Sequence, residues 1–241
     1  MSALSDPARL LDAWEEAAAV PPAARAAVLV CHGGFAEDVE SALGLPVGEV
    51  CALAGRVYAE DFGNALEAVV PCRGCDAQLD VRLPVSALRT VAAERERRVP
   101  GPERRELSLR ALTTRDLLAA GRTSNPAGEL LARCVTDATG EPVDPRKLGA
   151  EVVDRVEEAA EQLAGAAAAV VRTSCPDCGA GALMPVDMGG LLWERVASAA
   201  SALVSEVAAL AAAFGWREQD VLLMSAQRRR MYLRLARQGA A

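Results

Sequence analysis

Aromatic residues make up only 3% of this 241-residue chain, although hydrophobic residues reach 51%. Much of the apolar content is alanine, so the core must rest on Leu and Val packed through Ala-rich helices, and a β-sandwich is disfavoured. Positive charge is also short. The formal charge of -7 argues against a chain whose main task is gripping nucleic acid, because phosphate binding needs a net or clustered positive field. Lys147 is the single lysine, and the apolar run 164–171 is far too short to span a bilayer. Residues 1–14 mix acidic and basic side chains without an apolar centre, unlike a secretory signal. The expectation is a soluble cytoplasmic protein with no membrane segment. Its seven cysteines then stay reduced, as metal ligands and buried fillers rather than disulfides.

Histidine is almost missing as well. His32 stands alone, beside Cys31 and before Gly33-Gly34, and reads as a helix cap because no orienting acid or oxyanion feature is recognisable nearby. Gly33-Gly34 lacks the Lys-Ser/Thr of a phosphate loop and reads as a helix terminator. No catalytic constellation emerges, and no small-molecule substrate is implied. Cys31, Cys51 and Cys134 fall in helical segments, where small buried hydrophobes are expected.

Helix punctuation is abundant. Asp6-Pro7, Asn125-Pro126 and Asp144-Pro145 each put a capping residue before a proline, which pre-sets the first helical φ. Helices are predicted from Pro7 to the Pro21-Pro22 break, over 23–33, 47–63, 126–136, 145–169 and 190–214. Short ones follow Thr113 or Thr114 and Trp216, and a last one from Ser225 turns Met231, Tyr232 and Leu235 inward. Trp14, Trp193 and Trp216 read as core anchors. Period-two alternation marks strands at 77–85, with Leu79, Val81 and Leu83 on one side, and at 106–110. In 94–105, Arg95, Arg97, Arg98, Arg104 and Arg105 interleave with Glu94, Glu96 and Glu103, which predicts a solvated loop. The fold class expected is α+β, mainly α-helical. Its segments are an N-terminal helical region (1–68), a first knuckle with strands (69–112), middle helices (113–172), a second knuckle and strand (173–190) and C-terminal helices (191–241).

The strongest chemical signal is Cys72-Arg73-Gly74-Cys75 with Cys175-Pro176-Asp177-Cys178. A Cys-x-x-Cys turn aims two thiolates at one ion while its backbone amides bond the sulfurs, and two such turns complete a tetrahedron. Each pair follows an apolar run and precedes an alternating segment, the layout of a zinc ribbon whose halves come from distant parts of the chain. Residues 76–174 separate the pairs, so the site forms only if the fold unites them. One structural Zn2+ per chain is expected, and binding worth roughly 10–16 kcal/mol in small zinc domains makes it a clamp between two halves. A redox dithiol is the rival, but neither pair opens a long helix, where a low-pKa cysteine would sit.

Phe214-Gly215-Trp216-Arg217-Glu218-Gln219-Asp220-Val221-Leu222, followed by Arg228-Arg229-Arg230-Met231-Tyr232-Leu233, resembles the ending of baseplate proteins from contractile-tailed phages and phage-tail-like contractile injection systems. Leu45-Pro46-Val47-Gly48-Glu49, the first knuckle, Thr113-Thr114-Arg115-Asp116-Leu117-Leu118, and the second knuckle before Leu191-Leu192-Trp193 occur in that family's order. Gly181-Ala182-Leu183 departs from it, where a more polar or aromatic strand is expected. The resemblance implies a non-enzymatic baseplate or hub component, or an assembly factor, whose partners are other baseplate, hub or tail proteins. Trp216 buried, Tyr232 inward and Arg228, Arg229 and Arg230 outward form the expected partner-binding end. A zinc-ribbon nucleic-acid binder is the alternative, with salt-sensitive binding as its signature.

Overall fold

The computed structural model describes residues 3–88, 94–102, 105–144 and 148–239. Helices α1 (Pro7–Ala19), α2 (Pro22–His32), α3 (Val39–Gly44) and α4 (Val47–Phe62) build an N-terminal body. Asp6 caps α1 by accepting the Arg9 N–H at 3.0 Å, and Asp38 does the same for α3 from Ser41. A hairpin of β1 (Ala65–Pro71) and β2 (Gln78–Pro84) follows. Next come β3 (Glu96–Pro100), β4 (Glu106–Arg110), α5 (Thr114–Ala120), α6 (Pro126–Cys134), β5 (Val135–Asp137) and α7 (Ala150–Ala164). A second hairpin, β6 (Val170–Ser174) and β7 (Gly181–Pro185), leads into α8 (Met188–Phe214), α9 (Glu218–Leu222) and α10 (Ala226–Gly239). Mainly helical with three small antiparallel sheets among the described residues, the protein is α+β, as the sequence predicts.

Two buried cores dominate. The first joins α1, α2 and α4 to the first half of α8 through Leu29, Val57, Leu192 and Val196. The second lies between α7 and the three-stranded sheet β3-β4-β5, around Val99, Leu107, Leu109, Val135 and Val156. α5 links them: Val47 donates to the Leu112 carbonyl at 2.8 Å, and Arg115 pairs with Glu40 at 2.7 Å.

The charged stretch 94–105 is no loop; much of it is β3, paired with β4 from Glu96↔Arg110 to Pro100↔Glu106. Val99 is its one buried side chain, and cross-strand partners such as Arg98 and Glu106, 3.1 Å apart, replace apolar alternation as the pairing force. α6 ends at Cys134, earlier than predicted, because 135–137 joins β4 as β5. α7 stops at Gly165 (φ 51), and the predicted start of that helix at 145–147, like Glu103 and Arg104, lies outside the described residues. Strand β7 pairs with β6 in full register despite Gly181-Ala182-Leu183.

One apolar segment is longer than the run at 164–171. α8 contains an 18-residue window of mean hydropathy 1.7, so it is long and apolar enough, by length and composition, to cross a membrane. Only 22% of that window is buried. Its first half packs on the N-terminal body, while Ser201, Ala202, Val204, Ser205, Ala208 and Ala209 are exposed.

Candidate metal centre

The two Cys-x-x-Cys turns are 100 positions apart in the chain, and the helical body explains why they meet. α4 runs straight into β1, β7 runs straight into α8, and α4 packs on α8. Leu66, Val85 and Met188 are buried together where the two hairpins are rooted. The hairpin tips therefore come from one place on the body, which sequence spacing alone could not show.

At the tips, the Sγ atoms of Cys72, Cys75, Cys175 and Cys178 all lie within 4.8 Å of one another. Cys72 and Cys178 approach to 3.7 Å, and so do Cys75 and Cys175. A tetrahedron with metal–sulfur bonds of about 2.3 Å has edges of about 3.8 Å, so the four sulfurs fit one tetrahedral ion. Cys72 and Cys175 are buried with Leu79, whereas Cys75 and Cys178 are exposed. Each hairpin thus presents its first sulfur to the interior and its second to the rim.

The two turns match position by position. The Cys72 N–H donates to the Ala77 carbonyl at 2.8 Å, and the Cys175 N–H donates to the Ala180 carbonyl at 2.9 Å. The N–H groups of Asp76 and Gly179 donate to the carbonyls of Cys72 and Cys175, both at 2.9 Å. Asp76 (φ 56) and Gly179 (φ 72) both take the left-handed conformation that closes the turn. The Gly74 N–H donates to the Cys72 sulfur at 3.3 Å. Gly74 also sits where the turns touch: a Cβ there would lie 3.1 Å from the Ala180 Cβ and 3.3 Å from the Cys178 sulfur. Sequence reasoning missed Gly74, Asp76 and Gly179, although glycine inside one Cys-x-x-Cys turn and just beyond the other was the available signal.

The electrostatics of the four thiols also suit a cation. The Gly74 N–H draws the Cys72 thiol down to about 7 against burial, helped by the Cys75 N–H and the facing thiols. At Cys75 the Ala77 N–H acts downward, but the thiols of Cys178 and Cys175 outweigh it and push the group up to about 12. Cys178 is raised too, with the Ala180 N–H and Cys75 opposing and Cys72 raising. One thiolate forms readily, and its charge opposes the next. A bound cation removes that opposition, so these residues can hold a metal ion. No family model, curated protein or solved structure matches the chain.

The expected partner-binding end needs correction. Trp216 is half-buried and stacks on Phe214 with ring centres 4.7 Å apart, and Tyr232 meets both rings edge-on. Arg229 does not point outward: it is 6% exposed, pairs with Glu206 of α8 at 2.8 Å and donates to the Met224 carbonyl at 2.7 Å. These three residues fasten α10 against the end of α8. Arg228 and Arg230 are exposed, and so are Met231 and Leu235, which the sequence turned inward. Each residue step along a helix rotates about 100°, so a run of three arginines cannot share one outward face.

Of the remaining candidates, His32 closes α2 and meets Glu16 at 2.7 Å. Cys134 is buried, as expected of a filler, whereas Cys31 and Cys51 are only partly buried; burial pushes the thiols of Cys51 and Cys134 up to about 11.

Proposed function

We propose that the protein is a non-enzymatic component of a contractile tail or injection-system baseplate, or a factor in its assembly, held in shape by one Zn2+ on Cys72, Cys75, Cys175 and Cys178. The observation that carries the metal reading is four sulfurs at tetrahedral spacing, delivered by two hairpins rooted on adjacent helices. An all-thiolate tetrahedron suits Zn2+ or iron, and zinc supplies a bond with no redox chemistry, as a clamp requires. Both turns lead into strands and neither into a helix, which speaks against a low-pKa dithiol of the oxidoreductase kind. The assembly role is supported by the order of sequence motifs, and the protein acts by docking through its C-terminal helices.

Elemental mass spectrometry of purified protein, beside a Cys72→Ser/Cys175→Ser variant, tests the metal. The expected result is about one zinc per chain, lost together with cooperative unfolding in the variant. Iron would replace zinc in the proposal, and a folded metal-free protein would overturn it. Reversal of the exposed arginines, Arg228→Glu with Arg230→Glu, should lower incorporation into particles at unchanged thermal stability. Unchanged incorporation refutes the docking role. Salt-sensitive DNA or RNA binding lost in the same variant would favour the nucleic-acid alternative.

A further inference from the structure

A trough of about 770 Å³ runs between α8 and α10. Its α8 side carries Ala202, Ser205 and Ala209, and its α10 side carries Arg230, Arg234 and Arg237. Both sets follow helical spacing, so each presents one face along two turns, or about 10 Å. Among the described residues, none of the three guanidiniums has a carboxylate partner. Glu206, the one acid in the lining, is already held by Arg229. The last segment, 226–241, has five arginines and no acid, within a chain of net charge -7. Small side chains on one wall and unpaired cations on the other favour an occupant that is narrow, linear and negative.

We propose that this trough receives an acidic amphipathic helix of a partner protein, its small or apolar stripe against Ala202, Ser205 and Ala209 and its carboxylates on Arg230, Arg234 and Arg237. The proposal rests on the docking reading above and names the chemistry of the partner. Small residues let helix axes approach to about 8 Å, and guanidiniums grip carboxylates in two-bonded forks. A second copy is a poor occupant, because twofold pairing through the trough sets its arginines against their own images. A lipid surface is disfavoured because, among the described residues of α10, Met231 and Leu235 are the only large apolar side chains that are exposed.

The probes are two labelled helical peptides of about 20 residues, one of Glu, Ala and Leu, the other with Lys for Glu. Fluorescence anisotropy follows their binding to the full metal-loaded protein. The acidic peptide should bind saturably and weaken with salt, and the basic one should not bind. Ala209→Trp, which fills the trough from an exposed position, and Arg234→Glu/Arg237→Glu should each weaken binding at least about tenfold. Non-saturable binding, or binding unchanged by both variants, overturns the proposal. So does tighter association with phosphatidylserine vesicles or single-stranded DNA that the same variants abolish. If peptide binding fails while Arg228→Glu alone, a position outside the trough lining, still blocks incorporation, the trough is excluded and the docking role stands.

Discussion

Asp116 is 1% exposed and is the buried charge on which the link between the two cores depends. Its carboxylate accepts from Arg110 at 2.6 and 2.9 Å, from Arg133 at 3.0 Å, and from the Thr113 N–H and hydroxyl at 3.0 and 2.8 Å. Replacement by Ala removes the reciprocal half of the α5 capping box, about 1 kcal/mol, and strands two guanidiniums. Breaking a fully buried pair costs about 3–5 kcal/mol, but the Arg110 and Arg133 side chains are 42% and 40% exposed, so water recovers part of it. The expected total for Asp116→Ala is about 3 kcal/mol, read from urea unfolding at pH 7 with metal held constant. Burial acts to raise the Asp116 pKa, yet Arg110, Thr113 and Arg133 outweigh it and hold the group well below the ordinary carboxylate range. A depressed carboxyl stabilises the fold above its unfolded pKa near 4 and loses that contribution as pH falls toward the folded value. The stability gap between wild type and Asp116→Asn should therefore narrow below about pH 4. An Ala variant within about 0.5 kcal/mol of wild type, or a gap constant from pH 7 to 3, would refute this account.

At Gly74, substitution by Val crowds the Cys178 sulfur and Ala180; chelator competition should show metal affinity reduced at least about tenfold, and an unchanged affinity would contradict the contact. Gly179 has open space around it but a φ of 72, so Gly179→Ala should cost about 1 kcal/mol through backbone strain alone, whereas Asp76→Gly should be neutral or slightly stabilising. Equal thermal shifts in the two would argue against matched turns. Loss of the Glu206 and Met224 bonds in Arg229→Ala should destabilise the seating of α10 by about 2 kcal/mol. Amide exchange should then quicken in α10 and stay slow in α2 and α4; unchanged exchange in α10 would mean that the ring cluster holds it without the arginine.

Local chemistry made much of this fold legible. Proline after a capping residue marked the starts of α1 and α6, Thr113 marked α5, and the alternation of Leu79, Val81 and Leu83 marked β2. The ligand set was readable because two sulfurs in one turn already share a direction. Strand β3 was hidden because Val99 is its only buried residue, its pairing carried by charges that mimic a loop. Strand β5 was hidden because three residues of strand at the end of a helix leave no period to detect. The outward direction of Arg229 failed for want of Glu206, a residue on another helix. The trough was invisible for the same reason, since neither wall signals a partner until α8 and α10 lie side by side.

Joining Cys75 to Cys175 through an ion would turn residues 76–174 into a closed ring, with the body on one side of its neck and the β3-β4-β5/α7 module, with its own core, inside it. Ring closure is insensitive to contour length, since each doubling of a flexible loop adds only about 0.6 kcal/mol. Away from the α5 contacts that tie it to the body, such a module can grow or shrink while the neck holds its shape, because the helical core and the ion together fix where the ring closes.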